Sequence, residues 1–453
     1  MNRRLFFKQL SQGVAAAGVL GSGATTARPA DSSTLSPGLS PLRITNVKAI
    51  LTAPARIRLC VVKVETSEPG LYGVGCATFT QRIRTVVTAV NEYLAPFLKG
   101  KEADNIEDLW QAMYQSSYWR NGPVLMNALS GVDAALWDIK AKRAGVPLYQ
   151  LLGGKCRIGV PVYRHAAGKT PEAVVEAARR FMSEGARYIR AQVGVEGQAT
   201  YGAGTASSET NAPPKLVGEG HFAGERFEPA AYRRSVPKLF KYVREQLGDE
   251  VELLHDMHER LPPIDAIGLA KELEPYRLFF LEDPLAPEDV GYFKILRQQC
   301  ATPIAMGELF NNPNEWLDLV TGRLIDFIRC HLSQVGGISA ARKIAAICEF
   351  FRVRTAWHGP GDTSPVGHAA HVHLDLATWN FGIQECPNFS PALREVFPGT
   401  PELRDGMLWC NEKPGLGIDI DEKLAAKYPI RDDPPFDLHW GRLRDRDGTI
   451  RRP

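Results

Sequence analysis

Three carboxylates recur at equal intervals in the middle of the sequence. Asp256, Glu282 and Glu308 are spaced 26 residues apart, and each closes a short apolar run, in VELLHD, RLFFLE and TPIAMGE. Acids that converge repel one another unless a cation lies among them, and an all-oxygen set suits octahedral Mg²⁺ best. Any one of these acids could instead be a helix-capping acid after a strand. The equal spacing favours a magnesium site.

The segments around these acids predict the elements that position them. The apolar runs have the length of buried parallel strands, and the stretches between them, AIGLAKELE and YFKILRQQ, have helical spacing. One interval therefore corresponds to one strand and one helix. Consecutive parallel strands present their carboxyl ends at one face, where (β/α)8 barrels place their chemistry. The predicted fold class is α/β, with a (β/α)8-type barrel.

A different pattern precedes the barrel. Three strand-like segments alternate in polarity, RITNVKAILTA, RLCVVKVETS and LYGVGCATFT, and helical segments follow them. This order predicts an α+β domain that caps the barrel. The predicted divisions are an export signal (1–30), a linker (31–41), the capping domain (42–155), the barrel with its metal site (156–395) and a C-terminal segment that packs back on the capping domain (396–453).

Composition excludes several classes of protein. The chain has 453 residues, 44% of them hydrophobic, and a formal charge of +3. Residues 1–30 hold four basic residues and no acid, so the remainder carries −1 and gives no electrostatic reason to bind nucleic acid. The eight cysteines are scattered and show no CxxC pair, which argues against a disulfide framework or a zinc site.

The N-terminus has the features of a targeting segment. MNRRLFFKQL combines twin arginines with an apolar pair, and GVAAAGVLGSGA follows it. This resembles a bacterial twin-arginine export signal, which is removed after transport. The apolar run is too short and too rich in Gly and Ala to span a bilayer. We expect a periplasmic protein without a membrane anchor, or a cytoplasmic one if this segment is only a basic tail.

One long segment interrupts the predicted barrel. Residues 195–228 are rich in Gly, Ser, Thr and Ala and directly follow the strand ARYIRAQVG. Long loops without structure of their own are uncommon in compact domains and are often functional. We expect this segment to cover the active site.

The motifs and their order resemble the enolase superfamily, and more narrowly its mannonate dehydratase group. The resemblance runs from Ile44 to the C-terminus and rests on ALSGVDAALWDIKAKRAGVPLYQLLGG, LLHDMHERL, LEDP, GELF, WHGPGD, FGIQE and PGLGIDID. It implies the modified barrel and capping domain of that superfamily. It also implies that Asp256, Glu282 and Glu308 bind Mg²⁺, as their spacing suggests.

The resemblance also implies an acid–base pair. These enzymes abstract the proton α to a carboxylate, and dehydratases then protonate the departing β-hydroxyl. The second barrel strand ends in Arg190-Ala191-Gln192 instead of the Lys-x-Lys of racemases, and Tyr201 follows in TYG. By resemblance, Tyr201 assisted by Arg190 is the base and His258 is the acid. Alternatively, Tyr201 is a loop aromatic, Arg190 an ion-pair partner and His258 a histidine beside the metal.

Further polar residues at strand ends match the substrate contacts of the group. They are His165, Arg329, His358, Asp362 and Glu385. The cluster of His368, His371 and His373 is interpreted as structural or surface-exposed, in preference to a second metal site.

Two positions depart from the group and leave specificity open. Thr80 stands where an Asn is expected, and Pro360 follows His358-Gly359. The predicted function is Mg²⁺-dependent dehydration of a sugar acid, D-mannonate or D-gluconate, to a 2-keto-3-deoxy acid by a homo-oligomeric hydro-lyase. The alternatives are an exported sugar-acid binding or sensing protein with little turnover, and an acid-sugar epimerase or racemase.

Overall fold

The computed structural model describes residues 40–194, 216–217, 220, 224–431 and 443–452. The predicted export signal (1–30), the predicted base Tyr201 and most of the predicted cover lie outside the described residues. No helix in the described ranges combines the length and apolar character needed to cross a bilayer.

The chain begins its described part with a three-stranded antiparallel sheet in the order β1-β2-β3. Its strands are β1 (Ile44–Thr52), β2 (Leu59–Thr66) and β3 (Tyr72–Cys76). Helices follow: α1 (Ile83–Thr88), continued through a π-helical turn (Ala89–Leu94) into α2 (Ala95–Leu98), then α3 (Ile106–Gln115), α4 (Pro123–Arg143) and α5 (Leu148–Leu151). Strands followed by helices give the predicted α+β arrangement.

Helix α4 lies directly on this sheet. A Cβ atom added at Gly73 would come within 2.0 Å of the Ala135 carbonyl oxygen, and one at Gly75 equally close to that of Gly131. Only glycine allows strand β3 to approach the helix backbone so closely. Residues in the middle of α4 are consequently buried on nearly every side of the helix.

Parallel strands within the described residues close into an eight-stranded barrel. They are β4 (Val160–Gly168), β5 (Tyr188–Val193), β8 (Glu252–Asp256), β9 (Phe280–Glu282), β10 (Ile304–Met306), β11 (Phe327–Ile328), β12 (Arg354–Thr355) and β13 (Gln384–Glu385). β13 pairs with β4, and Thr355 bridges to Phe381 just before β13. This closure leaves no edge strand in the barrel.

A helix follows each barrel strand. These helices are α6 (Pro171–Ser183), α7 (Pro229–Leu247), α8 (Pro263–Glu272), α9 (Phe293–Gln299), α10 (Pro313–Thr321), α11 (Gly337–Phe351), α12 (Pro365–Ala377) and α13 (Pro391–Val396). Short 3-10 helices occupy Thr80–Arg82, Glu274–Tyr276 and Pro287–Tyr292. The predicted fold, an α/β barrel with a capping domain, is confirmed.

The C-terminal part contacts both the barrel and the N-terminal sheet. Its elements are β14 (Glu402–Arg404), β15 (Met407–Trp409) and α14 (Glu422–Ala425). β15 pairs antiparallel with the start of β4, and Glu422 forms ion pairs with Lys48 and Lys63 of the N-terminal sheet. A small separate sheet contains β6 (Leu216–Val217), β7 (Gly224–Arg226) and β16 (Leu443–Arg444).

Candidate active site

Polar residues line the carboxyl end of the barrel, one layer above its apolar interior. Strand side chains alternate in direction, so residues i and i+2 face the same side. Seven strands place an interior residue first and a polar one two positions later: Tyr163 and His165, Tyr188 and Arg190, Leu254 and Asp256, Phe280 and Glu282, Phe327 and Arg329, Ala356 and His358, and Ile383 and Glu385. The sequence-predicted residues of these strands therefore share one site.

Two of the predicted metal ligands are brought together at the strand ends. Asp256 and Glu282 close β8 and β9, and their side-chain oxygens lie with one of Asp283 within 4.8 Å of one another. Glu308 lies two residues beyond β10, and its carboxylate contacts Arg329 and His358, both at 3.2 Å. The role of Glu308 as a metal ligand remains a prediction.

Asp283 is the acid that sequence reasoning missed. Strand alternation would point it away from Glu282, but its φ of +38° turns the chain out of the strand. This left-handed region is uncommon for residues with a side chain, although Asp tolerates it better than most. The side chain is buried beside the predicted ligands. In the sequence, only its position directly after Glu282 indicated that Asp283 could belong to the site.

Arg190 lies among the acids instead of at the rim. Its Nη1 donates to Oε1 of Glu282 at 2.6 Å and lies 3.4 Å from Oδ2 of Asp256 and 3.6 Å from Oε1 of Glu385. Burial would lower the pKa of the guanidinium, but the three carboxylates raise it above its ordinary value. Arg190 therefore carries a permanent positive charge inside the site.

Arg329 forms a second, fully buried centre of positive charge. Nη2 lies 2.7 Å from Oε1 of Glu282 and donates to Oε2 of Glu385 at 2.9 Å. Nη1 donates to Oε2 of Glu308 at 3.2 Å. The Tyr163 hydroxyl donates to Glu282 at 3.2 Å and accepts from Arg329 at 2.9 Å, which gives it a structural role that the sequence did not suggest.

The charges of the site leave room for a divalent cation. Two guanidinium groups form ion pairs with five carboxylates, those of Asp256, Glu282, Asp283, Glu308 and Glu385. When all are ionised this network carries three negative charges, and the buried Arg260 near Asp256 offsets one of them, so the site stays negative. Burial raises the pKa of the Glu282 and Glu308 carboxyls, so ionising them without a cation is costly. Oδ1 of Asp256 and Oδ2 of Asp283 are buried without a hydrogen-bond partner in the described part of the chain. An oxygen-rich, electron-rich site of this kind fits Mg²⁺.

Three histidines surround the acids. Arg190 donates to Nδ1 of His165 at 3.2 Å, which places the ring proton of His165 on Nε2, 2.9 Å from Oε1 of Glu385. Burial lowers the pKa of His165 and holds that of His358 well below its usual range. His258 has a φ of +49°, and its Nε2 lies 3.5 Å from Oε1 of Glu308. His165 and His358 thus supply neutral donors and acceptors beside the acids.

Asp362 connects the barrel mouth to the capping domain. The Thr80 hydroxyl lies 3.2 Å from Oδ2 of Asp362, and burial raises the pKa of this carboxyl while the nearby His331 opposes that shift. Nδ1 of His331 is 3.1 Å from the His358 carbonyl oxygen. The structure therefore places Thr80, which departs from the expected Asn, in contact with Asp362, a predicted substrate-binding residue. His331 lies near Asp362 and contacts the backbone of His358.

The histidines of helix α12 lie inside the protein. His368, His371 and His373 are fully buried, so the surface alternative is wrong and the structural one holds. His368 lies 3.3 Å from the Pro360 carbonyl oxygen through Nε2, and His373 contacts two backbone groups. Among the described residues these histidines are not part of a metal-binding cluster.

The assignment of the base stays a prediction. Tyr201 lies outside the described residues, so its contact with Arg190 also stays a prediction. Among the described residues, Arg190 contacts carboxylates and His165.

Comparison with known proteins identifies the family. Residues 33–153 match the N-terminal domain of mandelate racemase and muconate lactonizing enzyme, and residues 173–424 match the enolase C-terminal domain-like family. The chain is 56% identical over 424 residues to RspA of Pantoea ananatis, a D-galactonate dehydratase family member, covering 92% of this chain and all of that protein. A D-galactonate dehydratase family member of Salmonella enteritidis is 55% identical with the same coverage.

Solved structures agree with these sequence matches. An enolase from Pantoea ananatis with bound D-gluconate and magnesium has a TM-score of 0.83 and 54% identity, over 91% of this chain and 100% of that one. A member of the enolase superfamily from Salmonella Typhimurium, 24% identical with a TM-score of 0.74 over 86% of this chain and 98% of that one, supports the fold alone. The predicted superfamily and the predicted enzyme class, a sugar-acid hydro-lyase, are confirmed, although these relatives are named for galactonate instead of mannonate. The chain belongs to the D-galactonate dehydratase family of the enolase superfamily.

Proposed function

We propose that this protein catalyses the Mg²⁺-dependent dehydration of a six-carbon sugar acid to its 2-keto-3-deoxy acid, with D-gluconate and D-mannonate as the leading substrates. The observation that carries the proposal is the excess of carboxylates over guanidinium groups around Asp256 and Glu282, at the face where barrel enzymes place their chemistry. The predicted cofactor agrees with the related Pantoea structure, which holds magnesium and D-gluconate.

Asp256, Glu282 and Glu308 would hold the Mg²⁺. When bound, the ion supplies positive charge that offsets the negative charge developing on the substrate carboxylate. Asp283 and the two arginines would fix the directions of these carboxylates, because each contacts at least one of them or lies against it.

The remaining polar residues would bind a polyhydroxy acid. His165, His358 and Asp362 offer hydrogen-bond donors and acceptors around the same barrel mouth, and Glu385 lies between the first two. Hydroxyl groups of a sugar acid can both donate and accept, so a mixed set of this type suits them. A site lined only by apolar residues would not retain such a ligand.

The chemistry requires one base and one acid. The α C–H bond breaks as Tyr201, in its phenolate form beside Arg190, takes the proton, and the electron pair forms a double bond to the β carbon. The bond from the β carbon to its hydroxyl breaks, and His258 donates the proton with which that hydroxyl leaves as water. The resulting enol takes up a proton at the β carbon and loses the proton of the hydroxyl on its α carbon, which gives the 2-keto-3-deoxy acid.

The proposal is tested by incubating the purified protein with Mg²⁺ and a panel that includes D-gluconate, D-mannonate and D-galactonate. Keto-acid product is detected with semicarbazide, and the controls are EDTA and the Asp256→Asn variant. Product that depends on Mg²⁺ and disappears in the variant is the expected result. Ligand that binds saturably without product would refute turnover and favour a binding protein. Recovery of an epimerised acid would favour an epimerase.

We also propose export of the protein to the periplasm through the twin-arginine segment around Arg3 and Arg4. Replacing both arginines with lysine should retain the protein in the cytoplasm, as judged by cell fractionation. Equal periplasmic amounts of the two proteins would exclude this route.

A further inference from the structure

Asp283 occupies an unusual position beside the proposed metal site. It follows Glu282 directly, is 1% exposed and has a φ of +38°. A non-glycine residue in this region costs on the order of 1–3 kcal/mol and persists only where the surrounding structure fixes it. What fixes it here is a set of hydrogen bonds to the two neighbouring strand ends.

The first set ties Asp283 to the end of β10. Its backbone N–H donates to the Ala305 carbonyl at 2.9 Å, and its side-chain Oδ1 accepts from the Gly307 N–H at 3.0 Å. Gly307 directly precedes Glu308 and has a φ of +139°, and a Cβ there would come within 3.1 Å of Phe310 and 3.2 Å of the Cys330 nitrogen. The side chain of Asp283 therefore holds the backbone turn from which Glu308 projects.

The second contact ties Asp283 to the end of β8. Its carbonyl oxygen accepts from the Glu259 N–H at 3.0 Å, just beyond Asp256 and His258. In addition, Oδ2 lies 3.6 Å from Nη1 of Arg329, the same nitrogen that donates to Glu308. One residue thus contacts all three segments that carry the proposed ligands.

We infer that Asp283 is a positioning residue of the metal site, which aims Glu308 through the Gly307 N–H that its Oδ1 accepts. One of its carboxylate oxygens lies near those of Asp256 and Glu282, so direct coordination of the ion is the competing role that the variants below distinguish. The inference rests on the proposed function, since it concerns the same magnesium site. Groups that orient metal ligands typically change metal affinity by about 10–100-fold when they are removed. The hydrogen bond to Gly307 predicts that an amide, which keeps the acceptor oxygen, can replace the carboxylate in part.

The test measures Mn²⁺ binding to the full chain by titration of free Mn²⁺ with electron paramagnetic resonance. Asp283→Ala should weaken binding at least tenfold, Asp283→Asn should weaken it clearly less, and Asp256→Asn, which removes a proposed ligand, should weaken it most. In the double variant, the losses of Mn²⁺ affinity caused by Asp283→Ala and Glu308→Gln should not add. If Asp283 acts through Glu308, its removal has little further effect once Glu308 is changed. Circular dichroism without metal compares the folding of all variants.

Several outcomes would overturn the inference. If Asp283→Asn weakens Mn²⁺ binding as much as Asp256→Asn, Asp283 is a ligand. If Asp283→Ala binds Mn²⁺ as the unmodified protein does, or its effect adds fully to that of Glu308→Gln, it does not act through Glu308. If Asp283→Ala does not fold, the comparison of Asp283→Asn with Asp256→Asn still decides. An unmodified protein that binds no Mn²⁺ would refute the proposed metal site itself, a result distinct from the others.

Discussion

Arg190 donates from Nη1 to Oε1 of Glu282 at 2.6 Å, and both side chains are almost completely buried. The same carboxylate oxygen lies 2.7 Å from Nη2 of Arg329. A buried charge is tolerated only when it is paired and hydrogen-bonded, so each partner depends on the others. The active-site acids are therefore held by a network of charges that also contributes to the integrity of the barrel.

Replacing Arg190 with Met should destabilise the metal-free protein by about 3 kcal/mol, because it leaves Glu282 with one fewer positive neighbour in a buried site. Mg²⁺ should restore part of that loss, since a cation can supply the missing charge. Urea unfolding with Mg²⁺ and with EDTA measures both effects.

Arg187→Met is a matched control, because Arg187 is exposed just before the same strand. Its free energy of unfolding should change little and should not depend on Mg²⁺. Equal effects of the two substitutions would contradict the buried network.

Mg²⁺ should raise the thermal stability of the unmodified protein, because a ligand that binds only the folded state stabilises it by about 2.7 kcal/mol at 100 times its Kd. In Asp256→Asn the shift should be largely lost. Differential scanning fluorimetry over a Mg²⁺ titration makes the comparison. A full shift in the variant would remove Asp256 from the site.

Much of the site could be predicted because barrel strands obey a simple rule. Asp256 and Glu282 each end an apolar run, and strand alternation places each on the same side as the interior residue two positions before it. The closing of β13 onto β4 then brings Glu385 and His165 together, although they are far apart in the sequence. Strand patterns and equal spacing were enough for Asp256 and Glu282, whereas His165 and Glu385 were predicted from the family resemblance.

Other features could not be predicted, because they depend on backbone turns and on three-dimensional packing. The positive φ of Asp283 reverses the side-chain direction that strand alternation predicts, and no residue pattern in the sequence predicts that turn. The ion pairs of Arg329 with four acids also depend on packing, because these acids come from different strands; its predicted contact with substrate stays a prediction. The burial of His371 also escaped prediction, since a histidine on a helix has no pattern that distinguishes inside from outside.

Thr80→Val should lower kcat/KM for the preferred sugar acid by about tenfold and should also lower the free energy of unfolding, because the hydrogen bond to Asp362 is already present in the free protein. The Thr80 hydroxyl lies 3.2 Å from Oδ2 of Asp362 and 3.0 Å from Oε1 of Gln81, so its one proton is shared between the two acceptors, and a hydrogen bond to a charged group is worth about 1.5–3 kcal/mol. Steady-state kinetics together with urea unfolding measure the two quantities.

Thr88→Val serves as the control, because the Thr88 hydroxyl bonds only within its own helix region and is exposed. It should leave kcat/KM unchanged. Unaltered kinetics of Thr80→Val on every sugar acid of the panel would show that the hydrogen bond from Thr80 does not position Asp362 for catalysis.

His373 links helix α12 to two other segments by contacts that fix its neutral form. Nδ1 lies 3.2 Å from the Tyr149 N–H nitrogen, which can only donate, and Nε2 lies 3.2 Å from the Leu416 carbonyl oxygen, which can only accept. The proton is therefore on Nε2. A second proton on Nδ1 would break the contact with Tyr149, and burial lowers the pKa of His373 from 6.5 to about 4.

This pKa shift predicts a loss of stability in acid. Between pH 6.5 and pH 4 the unfolded chain binds a proton at His373 that the folded protein does not, so the free energy of unfolding falls as the pH falls. Lowering the pH from 7.5 to 5 should cost about 2 kcal/mol through this residue. His373→Gln offers no titrating group, so its disadvantage relative to the unmodified protein should shrink by that amount at pH 5. Urea unfolding of both proteins at the two pH values measures it, and an equal difference at both would mean that His373 does not titrate on unfolding.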